Sequence, residues 1–271
     1  MPPVSQNPSP MQEYTRAHGR VSEEPWQKMR LMLDGALPKP IEFYMSSTEV
    51  DAVWIHFHGT PHVVYHGALE STRRHIAFAC VQMGAGSAAY ETPLGSGTFA
   101  RLLAAVRAEF TACSRIWLSG FSAGYGALRA ALADDGVAEQ VDGVLILDGL
   151  HSGYRPQGRP LAEGGHIEEE PLAPFVHFAR RAALGDARML LTHSEVFPGT
   201  FASTTETADY LVKALDLPRR AVLEWGPLGM QQLSDAQRGK LRIMGFAGNS
   251  APDHVDHLHA LSHFRNELFA L

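Results

Sequence analysis

The chain has 271 residues, 45% hydrophobic and 19% charged, with a formal net charge of −6 and a pI near 6.1. This suits one large α/β domain, or two small ones, with ample core, and the mild acidity without a basic block argues against nucleic acid and anionic membrane surfaces as partners. No apolar run approaches the roughly 20 residues that span a bilayer, and the two cysteines, Cys80 and Cys113, fall in or beside expected core strands, where buried free thiols are the default.

Residues 1–20 carry Pro2, Pro3, Pro8 and Pro10 and lack the apolar centre of a signal peptide. A disordered tail is expected there, with a cytoplasmic protein and with export left open if a leader was removed. Pro25 to Leu33 is expected as a short helix and Ile41 to Met45 as a strand. Asp51 to Gly59 reads as a stronger strand, apolar, β-rich and ended by glycine, and His75 to Gln82 as another. Thr98 to Phe110 has helical spacing, with Phe99, Leu102, Leu103, Val106 and Phe110 on one face.

The stretch Ile116 to Leu128 is a short apolar strand, a Gly-Phe-Ser-Ala-Gly turn at residues 120–124, and a helix start rich in small residues. A serine at such a turn takes a strained backbone conformation that exposes its hydroxyl, and glycine two positions either side avoids clashes with the neighbouring strand and helix. The helix is expected to end near Ala133, followed by a strand from Val141 to Gly149 that closes on Asp148. Leu150 to Pro174 is rich in Gly, Pro and Glu and is expected to be a short lid-like insertion, its Glu168 to Glu170 run solvated. Beyond it the pattern gives a helix at Phe175 to Leu184, a strand at Arg188 to His193 and a helix at Thr204 to Leu215 capped by Ser203 or Thr204. A strand at Ala221 to Trp225, a last core strand at Lys240 to Phe246 and a final helix from Asp253 to Leu271 complete the chain. Alternating strands and helices from about residue 50 onward call for a mostly parallel central sheet with helices on both faces, and ligands on such sheets bind at the carboxyl ends of the strands.

These features together resemble the α/β-hydrolase superfamily over roughly residues 40–271: His58-Gly59 after an early strand, the serine turn at 120–124, Asp148 after the next strand, and a histidine after the last one. The resemblance implies a single α/β-hydrolase domain over residues 21–271. It also implies an esterase-like serine hydrolase that forms a covalent acyl-enzyme on a small ester-type substrate without a cofactor. By the resemblance Ser122 is the nucleophile on a nucleophile elbow, and the backbone N–H groups of Ala123 and Gly59 form the oxyanion hole. The acid is Asp148, with Glu195, one strand later, as the alternative. The base is His254, with His257 on the same helical face as the alternative.

An acyltransferase or a non-hydrolytic binding protein on the same fold is the second reading. A third is a zinc hydrolase. His56, His58 and His62 resemble the metallo-β-lactamase zinc motif but lack the Asp-His pair that follows in it, and His254, His257 and His259 lie beside Asp253 and Asp256 without an evident further ligand set, so no metal is expected. Gly84 to Ser87 follows a strand but lacks the Lys-Ser/Thr ending of a phosphate loop, so no nucleotide is expected either. Substrate identity and oligomeric state are not encoded in any motif.

Overall fold

The computed structural model describes residues 27–271 apart from 34, 36, 38, 46 and 70–74, so the expected tail at 1–20 lies outside the described residues. Packing separates the chain into two compact units, one ending at Leu145 and the other beginning at Ile146.

The first unit holds β1 (Gln27–Leu31), β2 (Ile41–Met45), β3 (Ala52–Phe57), α1 (Pro61–Leu69), β4 (Ile76–Val81), α2 (Ala88–Leu94), α3 (Thr98–Glu109), β5 (Arg115–Phe121), α4 (Tyr125–Leu132) and α5 (Asp135–Ala138). β3 pairs in parallel with both β4 and β5, whereas β2 runs antiparallel to β4 and β1 antiparallel to β2. β3 is buried along its whole length, which is why it reads as an apolar run interrupted only by His56, while β2 alternates with Ile41, Phe43 and Met45 inward. α3 buries Phe99, Leu102, Leu103 and Val106, the face that its spacing predicts.

β6 (Gly143–Leu147) spans the boundary. The second unit continues with β7 (Tyr154–Arg155), β8 (His166–Ile167), α6 (Ala173–Leu184), β9 (Arg188–His193), α7 (Thr204–Ala214), β10 (Arg219–Trp225), β11 (Gln231–Arg238), β12 (Leu241–Phe246), α8 (Ala251–His259) and α9 (Leu261–Ala270). β9 pairs in parallel with β12, and β12, β11 and β10 form an antiparallel meander. Ser203 caps α7 in a reciprocal box with Glu206, as its sequence suggests. Hydrogen bonding orders the long strands β1-β2-β4-β3-β5-β6-β9-β12-β11-β10, a mixed, mostly parallel ten-stranded sheet; β7 and β8 make a separate small hairpin within the 150–174 segment.

Five elements differ from the sequence expectations. Residues 27–31, expected within a helix, form strand β1 because Ile41–Met45 offers a pairing edge and Arg30 meets Glu42 across it at 2.8 Å. α1 and α2 occupy stretches that read as loops; α1 starts at Pro61, where a missing N–H costs nothing, and buries Val63 and Val64. β11 is too polar to read as a strand and exists because it is paired on both sides. The final helix is two helices, α8 and α9, broken at Ala260.

Candidate active site

In the first unit, β5 delivers the chain to Ser122, which takes a left-handed backbone conformation (φ +47°), and a single 3₁₀ turn over Ser122–Gly124 leads into α4. A non-glycine residue rarely adopts this conformation unless its surroundings impose it. Those surroundings are tight. A Cβ on Gly124 would lie 2.0 Å from the Phe57 carbonyl oxygen, and one on Gly120 would lie 2.9 Å from the Gly124 carbonyl carbon. The serine turn therefore sits directly against the end of β3. Gly124→Ala forces backbone into backbone and is expected to destabilise the fold by at least about 3 kcal/mol, read as a lower urea midpoint.

The chain leaving β3 is equally constrained. His58 is left-handed (φ +69°) and Gly59 has φ +121°, a region open to glycine. The His58 ring stacks on Phe121 at 6.1 Å, and its Nδ1 meets the Tyr90 hydroxyl at 2.9 Å. Gln82 donates from Nε2 to the Gly59 carbonyl at 3.2 Å and accepts from the Tyr90 hydroxyl. Ala123 and Gly59, the expected oxyanion donors, thus flank the same close contact between the serine turn and the end of β3. A cavity of about 750 Å³ opens beside Gln82, lined by Ile41, Tyr44, Pro61, Tyr65 and Met83 among others, with Lys39 at its edge.

In the second unit, Asp148 follows β6 with φ +41° and is 1% exposed. Its carboxylate accepts from the Ser194 N–H at 2.8 Å, the Ser194 hydroxyl at 2.6 Å, the Thr204 hydroxyl and His254 Nδ1 at 2.7 Å. Burial alone would raise its pKa. The charge that His257 and His254 carry when protonated, and the hydrogen bonds from His254 and Ser194, outweigh that and hold the group well below the ordinary carboxylate range. His254 lies in the first turn of α8, after a capping box between Ser250 and Asp253 that fixes where the helix starts.

The alternatives part here. His257 is fully buried, its Nδ1 bonded to the Thr192 hydroxyl at 2.7 Å and its ring stacked on Phe264; burial lowers its pKa to about 4. Glu195 is exposed, its backbone N–H on the Gly248 carbonyl. The contact with Asp148 belongs to His254. Of the other histidines, His56 bonds Ser119 and the His58 carbonyl, while His58 turns to Tyr90, so the two do not converge on one point. Among the described residues no group of three or more His, Cys, Asp or Glu side chains is arranged to hold a metal ion, and no helix is long and apolar enough to cross a membrane.

The sequence pattern does not place Ser194 and Thr204, which saturate Asp148, beside it, and Thr204 reads there only as a cap candidate for α7. The sequence did carry a signal, since Thr192-His193-Ser194 ends a buried strand with three polar residues in a row. His193 braces the same segment. Thr205 donates its hydroxyl to the Ser194 carbonyl at 2.6 Å and accepts from His193 Nδ1 at 3.0 Å, while Arg219 meets His193 Nε2 at 3.2 Å.

No protein-family model matches the sequence, and no curated protein matches it. Solved structures do. The HSL homolog EstE7 from a metagenome library aligns with 96% of this chain and 89% of its own at 13% identity and a TM-score of 0.51. The chain has the α/β-hydrolase fold. XC6422 from Xanthomonas campestris, described as an α/β serine hydrolase without a lid, aligns with 92% of this chain and 97% of its own at 14% identity and a TM-score of 0.44. Est1E from Butyrivibrio proteoclasticus aligns with 90% and 99% at 12% identity and a TM-score of 0.47. At these identities the α/β-hydrolase assignment is one of fold. Chemistry has to be argued from the residues.

Proposed function

We propose that this α/β-hydrolase-fold protein is a serine esterase acting on small carboxylic esters, with Ser122 as nucleophile, His254 as base and Asp148 as its orienting acid. The observation that carries the reading is the 2.7 Å bond from His254 Nδ1 to a buried, fully hydrogen-bonded Asp148. A carboxylate so placed fixes the proton of the imidazole on Nδ1, leaves Nε2 basic and stabilises the imidazolium that forms when Nε2 takes a proton. The left-handed Ser122 at a strand-to-helix turn supports the nucleophile assignment.

In the proposed reaction Ser122 Oγ attacks the ester carbonyl carbon while its proton passes to His254 Nε2. The carbonyl electron pair moves onto oxygen, where the Ala123 and Gly59 N–H groups receive it. Collapse of this intermediate breaks the ester C–O bond, and His254 returns the proton to the departing alcohol. Water, deprotonated by the same nitrogen, then attacks the acyl-serine, releasing the carboxylic acid and restoring the Ser122 hydroxyl. The reaction needs no metal or organic cofactor.

The test is p-nitrophenyl ester turnover across acyl lengths, together with fluorophosphonate labelling. The wild-type protein should turn over esters and take one label at Ser122, and Ser122→Ala should lose the label and at least about 10³-fold in kcat. Turnover unchanged in Ser122→Ala, or absence of labelling in the wild type, would sink the reading.

A further inference from the structure

We propose that His56, a buried histidine outside the reacting constellation, is a positioning residue that aims the Gly59 N–H at the developing oxyanion. The inference rests on the esterase reading above, and it begins with a chain of three buried side chains whose proton positions are fully determined. The Trp54 indole can only donate, so its Nε1–H points at Ser119 Oγ, 2.6 Å away. The His58 carbonyl can only accept, so the His56 Nε2 that lies 2.7 Å from it carries a proton. Burial drives the His56 pKa down to about 3, so the ring is neutral and holds no second proton. His56 Nδ1 is therefore an acceptor, and the Ser119 hydroxyl donates to it at 2.7 Å. The order Trp54 to Ser119 to His56 to His58 carbonyl is the one arrangement in which every donor meets an acceptor.

The consequence lies in the last link. The His58 carbonyl and the Gly59 N–H belong to the same peptide unit, and in a trans peptide they point in opposite directions. Anchoring the carbonyl on a fully buried ring therefore fixes the direction of the Gly59 N–H. The hydrogen bond also polarises the peptide and makes that N–H a stronger donor. A second clamp follows one residue later, where Gln82 holds the Gly59 carbonyl at 3.2 Å. The backbone here needs holding: His58 sits at φ +69°, a conformation disfavoured for a non-glycine residue, and the His56 bond helps offset its cost. His56 and Ser119 are direct neighbours across β3 and β5, so the anchor is built into the most buried strand pair of the first unit.

The test compares wild type, His56→Leu and His56→Gln on a p-nitrophenyl ester, with a trifluoromethyl ketone as transition-state analogue. Leucine removes the anchor. It should lower kcat by about 10- to 100-fold, less than or equal to the loss of a whole oxyanion donor, with KM within about 2-fold, and it should raise the analogue's Ki by the same factor as kcat/KM falls. The glutamine amide can donate to the His58 carbonyl and accept from Ser119, so His56→Gln should recover most of the loss, an effect that repacking alone would not produce. ¹⁵N NMR of the wild-type protein should show His56 neutral and protonated on Nε2 from pH 8 down to pH 5, a measurement that stands even if the leucine variant does not fold. A folded His56→Leu with wild-type kcat and Ki, or an Nδ1–H form by NMR, would overturn the inference and leave the esterase reading intact. A wild-type protein inert to esters and to fluorophosphonate would instead remove the esterase reading, and this inference with it.

Discussion

Asp148→Asn is expected to lower kcat for ester hydrolysis by about 10³- to 10⁴-fold while leaving KM nearly unchanged, the pattern of a group that acts on the transition state. The loss comes from proton placement. The Asp148 carboxylate accepts from the Ser194 N–H and the Thr204 hydroxyl through Oδ1, and from the Ser194 hydroxyl and His254 through Oδ2. An asparagine amide must keep its oxygen toward the Ser194 N–H, which can only donate. Its NH₂ then faces His254 Nδ1 and turns that nitrogen into an acceptor. The imidazole proton moves to Nε2, the nitrogen that has to receive the serine proton, and the base is disabled while the side chains keep their places. Steady-state kinetics on the two proteins, with fluorophosphonate labelling rates as a second reading, decide it. An Asp148→Asn enzyme within 10-fold of wild type would transfer the acid role elsewhere, and Glu195→Gln is the comparison that would show it.

The second large effect is on stability. His56, His193 and His257 are buried and neutral, with pKa values lowered to about 3, 4 and 4, in each case chiefly by burial. In the unfolded chain each returns to about 6.5. Between pH 6.5 and about 4 the unfolded state therefore binds protons that the folded state refuses, and stability falls as pH falls. Each histidine contributes a slope of up to about 1.4 kcal/mol per pH unit, so the three together should remove about 5 kcal/mol between pH 7 and pH 5, a large part of a typical domain's stability. Asp148, whose pKa is depressed, adds in the same direction once pH drops through its unfolded value near 4. Urea melts at pH 7 and pH 5 measure the effect, and equal midpoints would contradict it. His257→Phe should flatten the dependence, because His257 already lies between Phe246 and Phe264 and its Nε2 has no hydrogen-bond partner.

What was legible in the sequence was whatever leaves a mark in spacing. β3, β5, β6, β9 and β12 are apolar runs with clear ends, and Gly120, Ser122 and Gly124 announce a turn whose tightness the structure shows. Asp148 and His254 were legible as residues that follow core strands, and the two meet at 2.7 Å. β11 was not legible, because a polar stretch becomes a strand only through neighbours that lie elsewhere in the chain. The support of Asp148 by Ser194 and Thr204 was hidden for the same reason. It joins residues 46 and 56 positions away, and no local pattern records which hydroxyl a buried carboxylate will find. Helix α1 shows the limit of propensity, since Val63 and Val64 favour strand and are helical because that conformation buries them.

The saturation of Asp148 also bears on how such a protein can change over generations. An acid that served only to orient a histidine could drift to almost any residue once hydrolysis was no longer selected. Asp148 is not free in that way, because Ser194, Thr204 and His254 all aim donors at it from three separate segments. A replacement lacking two acceptor oxygens strands buried donors, at about 1–3 kcal/mol for each. Under the proposed esterase function, descendants that abandoned hydrolysis would therefore be expected to lose Ser122 long before Asp148, leaving the aspartate as a relic held in place by folding alone.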